Sequence, residues 1–378
     1  MDSAPTLDLS GIEVGGGSVA AEPLDALDRL TLLGRPSDVG GVLRAVGRLP
    51  GTAHITWPDD PGRLTVGRFA ASHGAPAAVA EACAHFGFPL ERSRRTRLRE
   101  LGAEERARLL CALTLAAPGQ WMVLEDPLRG VVGQARAGLR GRLLDAATKF
   151  RRGLVVSGAS VLDAAVVGGR TVTIEKGQIA DTAPLELQLR EPRSNLAAAA
   201  AGVSVFSGLA RRGWLSIGHS RVRARTELDG KVYVTIPTSA ARLSFDEFDP
   251  AFTSDSVFEA LVVAVRDSGP VLQVVLSPAD TEVGLAMTVD LLDFSAAADT
   301  DSTGTRTDGT GGTDTHGTGG TDTHGTGFGV LHPGLATSVA DTVARVRTGT
   351  RLFVDVDTSR MRAYPAEAGG PAEAGGLD

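Results

Sequence analysis

The first half of the chain alternates between two hydrophobic patterns. Short runs of consecutive apolar residues are typical of strands buried on both faces, and longer stretches with apolar residues three or four apart are typical of helices. The predicted strands are residues 30–34, 122–124, 154–157 and 171–175, and the predicted helices are residues 42–49, 76–88, 103–117 and 134–150. Strands that alternate with helices predict an α/β domain with a mainly parallel sheet. A Lys176-Gly177 turn into residues 178–180 closes the pattern, so we expect the first domain, residues 1–183, to end near Ala183.

The pattern changes to a period of two after about residue 185. Short alternating runs at residues 220–224, 231–236, 260–265 and 271–276 are separated by Asp-Gly, Ser-Gly and similar turns. Such runs are typical of antiparallel strands with one buried face. We therefore expect residues 184–365 to form an all-β region of small antiparallel barrels.

Two segments of the second half have a composition that predicts disorder. Residues 296–328 contain the octapeptide Gly-Thr-Gly-Gly-Thr-Asp-Thr-His twice, at 309–316 and 317–324, and the tail of residues 366–378 consists mainly of Ala, Gly and Glu. Neither composition supplies enough apolar surface to order the chain. We expect a flexible insertion between two strands, with metal chelation by His316 and His324 as the alternative.

Composition and charge restrict the class of protein. The chain has 378 residues, 42% of them hydrophobic, which is enough for two domains with their own cores. Its formal net charge of −7 gives no reason to expect nucleic acid as a partner. No apolar run approaches the roughly 18 residues that would span a membrane, and the first residues lack the pattern of a signal peptide. We therefore expect a cytoplasmic protein.

Cysteine and arginine residues suggest no further chemistry. Cys83 and Cys111 lie in apolar, helix-like stretches and are predicted to be small core residues rather than a disulfide or a metal pair. The basic cluster of residues 92–99 fits a solvated helix face or a contact with an acidic partner.

Residues 101–127, LGAEERARLLCALTLAAPGQWMVLEDP, combine a polar opening, one amphipathic helix and a strand that ends in two acids. This order resembles the ABC-type ATPase family, in which LSGGERQR is followed by a helix and by an apolar strand ending Asp-Glu-Pro. The resemblance implies a P-loop NTPase-like (ABC ATPase-like) first domain with ATP and Mg²⁺ as cofactors. It places Glu125 at the acid that holds Mg²⁺ and Asp126 at the base that polarises the attacking water. Because the two acids are inverted here, we expect weakened activity.

The same resemblance places the phosphate-binding loop, G-x-x-x-x-G-K-[ST], at residues 34–41. Gly34 matches the first glycine, Gly40 the lysine and Gly41 the hydroxyl residue of that loop. A degenerate nucleotide site at these residues would keep some backbone N–H groups for phosphate but would lack the lysine and the Mg²⁺-binding hydroxyl. The alternative is an ordinary glycine-rich turn from a strand into a helix.

Other positions of the family also lack their usual residues. Gly102 and Ala103 form a degenerate signature loop, Glu104 follows them, and Ala159 stands where the family has its switch histidine. No glutamine lies between residues 41 and 101, and no aromatic residue lies within 13–19 to stack on adenine. These differences predict a pseudo-ATPase.

The second half resembles the TOBE region of oxyanion-importer ATPases, and of the molybdate type above all. The resemblance rests on residues 232–237 (VYVTIP), followed by residues 242–244 (RLS), and on the closing segment from residue 349 to residue 365. It implies oxyanion binding at Ser254 and Ser256, but in the segment 253–256, which matches the family's Ser-Ala-Arg-Asn, Asp255 stands at the arginine, and Asp357 stands at the lysine of the closing strand. A plain structural barrel is the alternative.

Two classes of function follow from these resemblances. In the first, the chain is like the ATP-binding subunit of an ABC importer for molybdate or another oxyanion, defective in ATP hydrolysis. It would dock on a membrane permease, peripherally on the cytoplasmic face, and would form a homodimer or a heterodimer with a competent ATPase subunit. In the second, it is a TOBE-based oxyanion-binding or regulatory module on a scaffold pseudo-ATPase domain. A decaying paralogue without a role is a third reading.

Overall fold

The computed structural model of the protein describes residues 6–366, apart from residues 21, 159, 219, 221, 251, 253, 255–256, 268–270, 280–284 and 294–343. The chain divides into two compact units, one up to Ala200 and one from Ala201. The domain boundary at Ala183 stays a prediction, and each unit is described by itself.

The first unit contains a small hairpin and a six-stranded sheet with helices. The hairpin is β1 (Glu13–Val14) and β2 (Gly17–Ser18), and the sheet strands are β3 (Arg29–Gly34), β4 (Thr52–His54), β5 (Trp121–Leu124), β6 (Gly153–Gly158), β7 (Arg170–Glu175) and β8 (Gln178–Asp181). The helices are α1 (Pro36–Val46), α2 (Val66–Ala71), α3 (Pro76–Phe86), α4 (Leu90–Ser93), α5 (Ala103–Ala116), α6 (Gly133–Lys149), α7 (Val161–Val167), α8 (Leu185–Arg190) and α9 (Asn195–Ala200). The strand order is β4-β5-β6-β3-β7-β8, and every pairing is parallel except that of β7 with β8. The predicted parallel α/β sheet is confirmed.

The sheet is covered on both faces, which explains its uninterrupted apolar strands. Along β5, Met122 and Leu124 join a core formed with α2, α3, α5 and α6. Trp121 and Val123 point the other way, into a core formed with α1 and the N-terminal hairpin. Alternate residues of one strand thus serve two cores, as the period of two in a strand requires.

Helix α1 begins earlier than the sequence predicted. We expected a loop at residues 35–41 and a helix from residue 42, but the helix starts at Pro36. Proline is favoured in the first turn of a helix because its φ is already helical and it has no N–H to leave unpaired. Val39 and Leu43 are buried at helical spacing and fix this helix on the sheet. The predicted loop is therefore wrong.

The second unit consists of two five-stranded antiparallel sheets. Its strands are β9 (Val203–Arg211), β10 (Trp214–Ile217), β11 (Arg223–Arg225), β12 (Gly230–Pro237), β13 (Ala241–Ser244), β14 (Phe258–Asp267), β15 (Val271–Pro278), β16 (Met287–Asp293), β17 (Arg351–Val356) and β18 (Arg362–Pro365). The sheet orders are β11-β10-β9-β12-β18 and β13-β17-β14-β15-β16. Inward-facing residues of both sheets share one core.

This arrangement confirms the predicted all-β, TOBE/OB-like region. The predicted strands at 231–236, 260–265 and 271–276 lie within β12, β14 and β15, and the predicted strand at 220–224 overlaps β11. The predicted flexible insertion, residues 296–328 with His316 and His324, and the tail after residue 366 lie outside the described residues. None of the described helices is long and apolar enough to cross a membrane.

Candidate nucleotide site

A single residue, Arg35, connects β3 to α1. Gly34 ends the strand, and Arg35 is extended (φ −69°, ψ 151°) before Pro36 opens the helix. A Cβ atom on Gly34 would lie 2.5 Å from the carbonyl oxygen of Ile174 and 2.7 Å from Cγ1 of Val39. Gly34 therefore allows α1 to pack closely against β7, and no loop is left between strand and helix to surround a phosphate.

The backbone donors at the start of α1 are largely in use. Pro36 has no N–H, and the N–H groups of Asp38 and Val39 both donate to the carbonyl oxygen of Arg35, at 2.9 and 3.1 Å. Asp38 also brings an acid into the first turn. A helix N-terminus binds an anion through free N–H groups and a positive dipole end. Here the N–H groups of Asp38 and Val39 are bonded to Arg35 and the Asp38 carboxylate already occupies the positive end of the helix, so the residues present do not fit a triphosphate.

Gly40 and Gly41 lie inside α1 rather than at its N-terminus. A Cβ atom on Gly40 would lie 3.1 Å from Oε1 of Glu125 and 3.3 Å from a guanidinium nitrogen of Arg44, whereas Gly41 faces open space. Because Gly40 has no side chain, the Glu125 carboxylate and the Arg44 guanidinium can lie directly against the backbone of α1. The structure thus brings Gly40 and Glu125 together, with the guanidinium of Arg44 beside Gly40.

Asp126 follows Glu125 at the end of β5 and is held from two sides. Its backbone has a positive φ of 39°, and its N–H donates to Oγ of Ser157 at 3.2 Å. Its carboxylate forms an ion pair with Arg129, with Nε at 3.3 Å. Burial raises the pKa of Asp126, and Arg129 and Arg136 oppose that rise. The group in the position of the general base is thus already engaged with internal partners.

Next to Asp126 lies an ion-pair group that the sequence did not reveal. Asp163 pairs with Arg136 and with Arg140, whose Nη1 is 3.2 Å from Oδ1 of Asp163. Arg136 also donates to the carbonyl oxygens of Leu128 and Val131, at 2.8 and 3.0 Å. These contacts join the segment after the acids to α6 and α7. The one sequence signal was Ser160-x-x-Asp163, since Ser160 caps α7 by accepting from the N–H of Asp163 at 3.2 Å.

His54 is a second residue that the sequence analysis missed. It ends β4, and its ring lies against α1, where a Cβ atom on Gly47 would be only 2.2 Å from Nδ1. Its Nε2 is buried and has no hydrogen-bond partner among the described residues. Burial lowers the pKa of His54, the negative charge of Glu125 opposes this decrease, and the positive charge of Arg44 adds to it. A lone histidine in an apolar stretch gave no signal in the sequence.

An open groove lies between the β1–β2 hairpin and α1, where the resemblance expects adenine and phosphate. Its polar side chains are Glu13, Ser37 and Asp38, and its lining also includes Gly15 and Gly41. No lysine or arginine lines the groove among the residues that the structure describes. Two carboxylates without a cation repel a polyphosphate, so this groove does not fit ATP with Mg²⁺.

The predicted signature residues form an ordinary helix start. Gly102 is the N-cap of α5 and donates its N–H to Oε2 of Glu105 at 3.1 Å, and Ala103 is the first helical residue. Glu104 forms the ion pair with Arg108 that its spacing of four residues predicts. A Cβ atom on Gly130 would lie 3.1 Å from that of Ala103, which places this start beside the segment after the acids. Ala159 lies outside the described residues.

The predicted oxyanion-binding residues are only partly described. Ser254 donates its hydroxyl to the carboxylate of Asp355, which is 2% exposed. Asp357 accepts hydrogen bonds from the N–H and the hydroxyl of Ser359, at 3.0 and 2.6 Å. Ser256 and Asp255 lie outside the described residues. In the described ranges, no three His, Cys, Asp or Glu side chains gather into a group that could hold a metal ion.

Known proteins show a limited similarity to this chain. No family model matches the sequence. Over 110 residues it is 31% identical to the molybdenum import ATP-binding protein ModC of Mycobacterium tuberculosis, strain CDC 1551 / Oshkosh, and the same figures hold for ModC of strain H37Rv. The match covers 29% of this chain and 30% of the relative, so the chain spans less than a third of the length of the curated relatives it matches.

Solved structures give further similarity to ABC cassettes. A metal-chelate type ABC transporter in an inward-facing conformation has a TM-score of 0.40 at 13% identity, covering 56% of this chain and 94% of that chain. A dimeric bacterial ABC transporter cassette has a TM-score of 0.36 at 14% identity, and the match covers 44% of this chain and 94% of that chain. A post-hydrolysis cassette bound to ADP and Pi has a TM-score of 0.36 at 13% identity, with the same coverage of both chains. Over those 110 residues the chain is similar in sequence to a molybdenum import ATP-binding protein, and its own fold is a mainly parallel α/β sheet followed by an all-β region.

Proposed function

We propose that this chain acts in an ABC importer for molybdate or a related oxyanion, as a subunit like the ATP-binding subunit, and that it does not hydrolyse ATP. The importer assignment is supported by the similarity to ModC and by the order of an ABC ATPase-like sheet and an all-β region. In this proposal the chain docks on the cytoplasmic face of a membrane permease. It pairs with a second subunit, and a competent ATPase subunit in a heterodimer supplies hydrolysis.

The loss of hydrolysis is carried by the connection between β3 and α1. One residue separates strand from helix, and the N–H groups of Asp38 and Val39 are bonded to Arg35. Phosphate binding at such a turn depends on a loop of free N–H groups, a lysine and a Mg²⁺-binding hydroxyl. Residues 34–41 contain no lysine, Gly41 stands at the position of the Mg²⁺-binding hydroxyl, and no loop separates the strand from the helix.

The acids support the same proposal independently. Asp126 is one methylene shorter than the glutamate that acts as base in the family, and it is tied to Ser157 and Arg129. A displacement of about 1 Å in a catalytic group can cost about a hundredfold in rate. The Glu125 carboxylate lies against α1 at Gly40, on the same side as the Arg44 guanidinium.

Phosphate release by the full-length purified chain tests this proposal. We expect the same background rate for the unmodified protein and for Asp126→Asn, because a contaminant would not respond to that substitution. Gly40→Lys should give no rate either, since its side chain would start 3.1 Å from Oε1 of Glu125 and catalytic parts act together. A rate that Asp126→Asn abolishes would show that the chain is an ATPase.

Nucleotide binding is measured separately from hydrolysis. A ligand that binds only the folded state raises the melting temperature according to RT ln(1 + [L]/Kd). We expect no rise with ATP and Mg²⁺ at millimolar concentration, because the groove beside α1 is lined by Glu13 and Asp38 without a cation. A clear rise in melting temperature without hydrolysis would leave the importer assignment in place. The chain would then be a subunit that senses nucleotide rather than a pseudo-ATPase.

The alternative of an oxyanion-binding or regulatory module is not favoured by the second unit. Its candidate residue Ser254 donates to the buried carboxylate of Asp355. A carboxylate at this place repels an oxyanion rather than attracting it.

A further inference from the structure

One stretch of the second unit is basic in an otherwise acidic chain. Residues 209–225 contain five arginines and no aspartate or glutamate, whereas the whole chain has a formal net charge of −7. The structure describes four of these arginines, and all four are exposed: Arg211, Arg212, Arg223 and Arg225. We call these four residues the arginine face.

Strand pairing places the arginine face on the outer side of one sheet. Trp214 of β10 lies opposite Arg211 of β9 and opposite Arg225 of β11, and Ser216 lies opposite Arg223. The residues between them, Ala210, Leu215 and Ile217, are buried in the core. Because side chains alternate along a strand, the register fixes three arginines and Trp214 on one side of three adjacent strands. Arg212 extends this surface at the turn between β9 and β10.

Trp214 positions one of these arginines. The guanidinium carbon of Arg225 lies 3.9 Å from the centre of the Trp214 ring. Stacking on an aromatic face leaves the N–H groups of arginine free at the edge of the guanidinium plane. Such an arginine is held ready for the two oxygens of a carboxylate, which it binds side on.

The arginine face has no internal anion. None of its four residues forms an ion pair with a described residue, and Arg223 donates to the carbonyl oxygen of Ser220 at 3.0 Å. In the basic cluster of residues 92–99, Arg94 forms an ion pair with Glu91 at 3.0 Å. No such pair is formed by the arginine face with any described residue, so its charge remains available to a partner.

We propose that the arginine face is a docking surface for an acidic segment of a partner protein, which it recognises through glutamate and aspartate side chains. A guanidinium group binds a carboxylate through two parallel hydrogen bonds. An extended segment points every second side chain to the same face, so it can present several carboxylates to the arginines of three adjacent strands. Arg225 occupies one face of the Trp214 ring, which is a face that a nucleic-acid base would need for stacking. Trp214 and Leu209 on this side of the sheet are 46% and 48% exposed, so nucleic acid and an anionic membrane are the competing partners that the experiment must separate.

Fluorescence anisotropy with a labelled peptide of alternating glutamate and alanine tests this proposal on the full-length chain. The key variant is Arg211→Gln, Arg223→Gln and Arg225→Gln combined. Its matched control is Arg92→Gln, Arg95→Gln and Arg99→Gln, which removes the same charge from exposed positions of the first unit. Thermal melting of both variants verifies that they are folded.

We expect salt-dependent binding of the peptide whose Kd is about tenfold higher in the key variant, a loss of about 1.4 kcal/mol in total, and nearly unchanged in the control. Equal weakening in both variants would show only an effect of net charge and would overturn the proposal. Tighter binding of a single-stranded oligonucleotide or of phosphatidylserine vesicles than of the peptide would overturn it in favour of that partner class. None of these outcomes depends on whether the chain is an importer subunit.

Discussion

The two units use their polar and charged groups in opposite ways. In the first unit, carboxylates that the resemblance places at the general base and in the signature loop are paired with neighbouring arginines, as in Asp126 with Arg129 and Glu104 with Arg108. In the second unit, the arginine face remains without an acidic partner on the surface of the sheet. This difference teaches that charge in the first unit now stabilises structure, while the second unit offers unpaired charge for recognition.

The largest effect should come from the buried amide of Gln188, which tests whether polar groups of the first unit are structural. Gln188 is fully buried, accepts from Thr173 Oγ1 at 2.6 Å and donates to the carbonyl oxygens of Thr171 and Ala183, at 3.1 and 2.8 Å. Gln188→Leu would remove the hydrogen-bond partner of the buried Thr173 hydroxyl and one partner each from the carbonyl oxygens of Thr171 and Ala183, and a buried polar group left unsatisfied costs about 1–3 kcal/mol. We expect a loss of about 3 kcal/mol in the free energy of unfolding, measured with urea.

Thr173→Val serves as the partner variant for that measurement. If the hydroxyl matters only through Gln188, the double variant should lose less than the sum of the two single variants. Full additivity would contradict a shared network. The network also joins α8 to β7 beyond the predicted boundary at Ala183, so a chain truncated there should be destabilised as well.

A somewhat smaller effect is expected from Asp163, which pairs with Arg136 and Arg140. The side chains are 14%, 27% and 13% exposed, between the surface and buried cases. Removing one partner of a buried pair costs several kcal/mol because the other charge is left uncompensated, whereas exposed pairs contribute less than about 1 kcal/mol. Asp163→Asn should therefore lower the free energy of unfolding by about 2 kcal/mol.

Asp145→Asn is the matched control for Asp163. Asp145 is 69% exposed and lies 3.8 Å from Nε2 of His85, so its loss should change stability by less than about 0.5 kcal/mol. If Asp163→Asn proved as mild as this control, the ion pairs beside Asp126 would not hold the first unit together.

Asp181 gives a smaller, pH-dependent effect. Burial raises its pKa above the ordinary value of 3.8, against hydrogen bonds from Ala183 and Thr182 and the charge of Arg193. For an acid whose pKa is raised by folding, the stabilising contribution is complete below the unfolded pKa and is lost as pH rises through the folded pKa. Asp181→Asn should therefore match the unmodified protein at the acid end and be slightly more stable at neutral pH. Urea unfolding of both proteins, below the unfolded pKa and at neutral pH, measures this difference in the free energy of unfolding. A variant that is less stable than the unmodified protein at neutral pH would show that the ionised Asp181 carboxylate stabilises the fold.

The sequence predicted the scaffold better than the site. Strands buried on both faces, such as β5 and β6, have continuous apolar runs, and the helix predicted at 103–117 is α5 almost residue for residue. The start of α1 was missed because Gly40 and Gly41 suggest a loop, although Pro36 is a typical first helical residue. The pairing of Asp163 with Arg136 depends on where two helices meet. Such long-range contacts leave no periodic signal in a single sequence.

The smallest expected effect is that of molybdate or tungstate on the second unit, where we predict no change in melting temperature at millimolar ligand. A bound oxyanion would stabilise the folded state by mass action. Ser254 instead donates to the buried carboxylate of Asp355, and Asp357 accepts from Ser359. Asp357→Lys should create a response if this position corresponds to the lysine of the molybdate-type family, and Asp357→Asn is the control that removes the charge alone. A clear rise in the unmodified protein would mean that the second unit binds its ligand despite these acids, and would place an oxyanion sensor ahead of an importer subunit as the function of this chain.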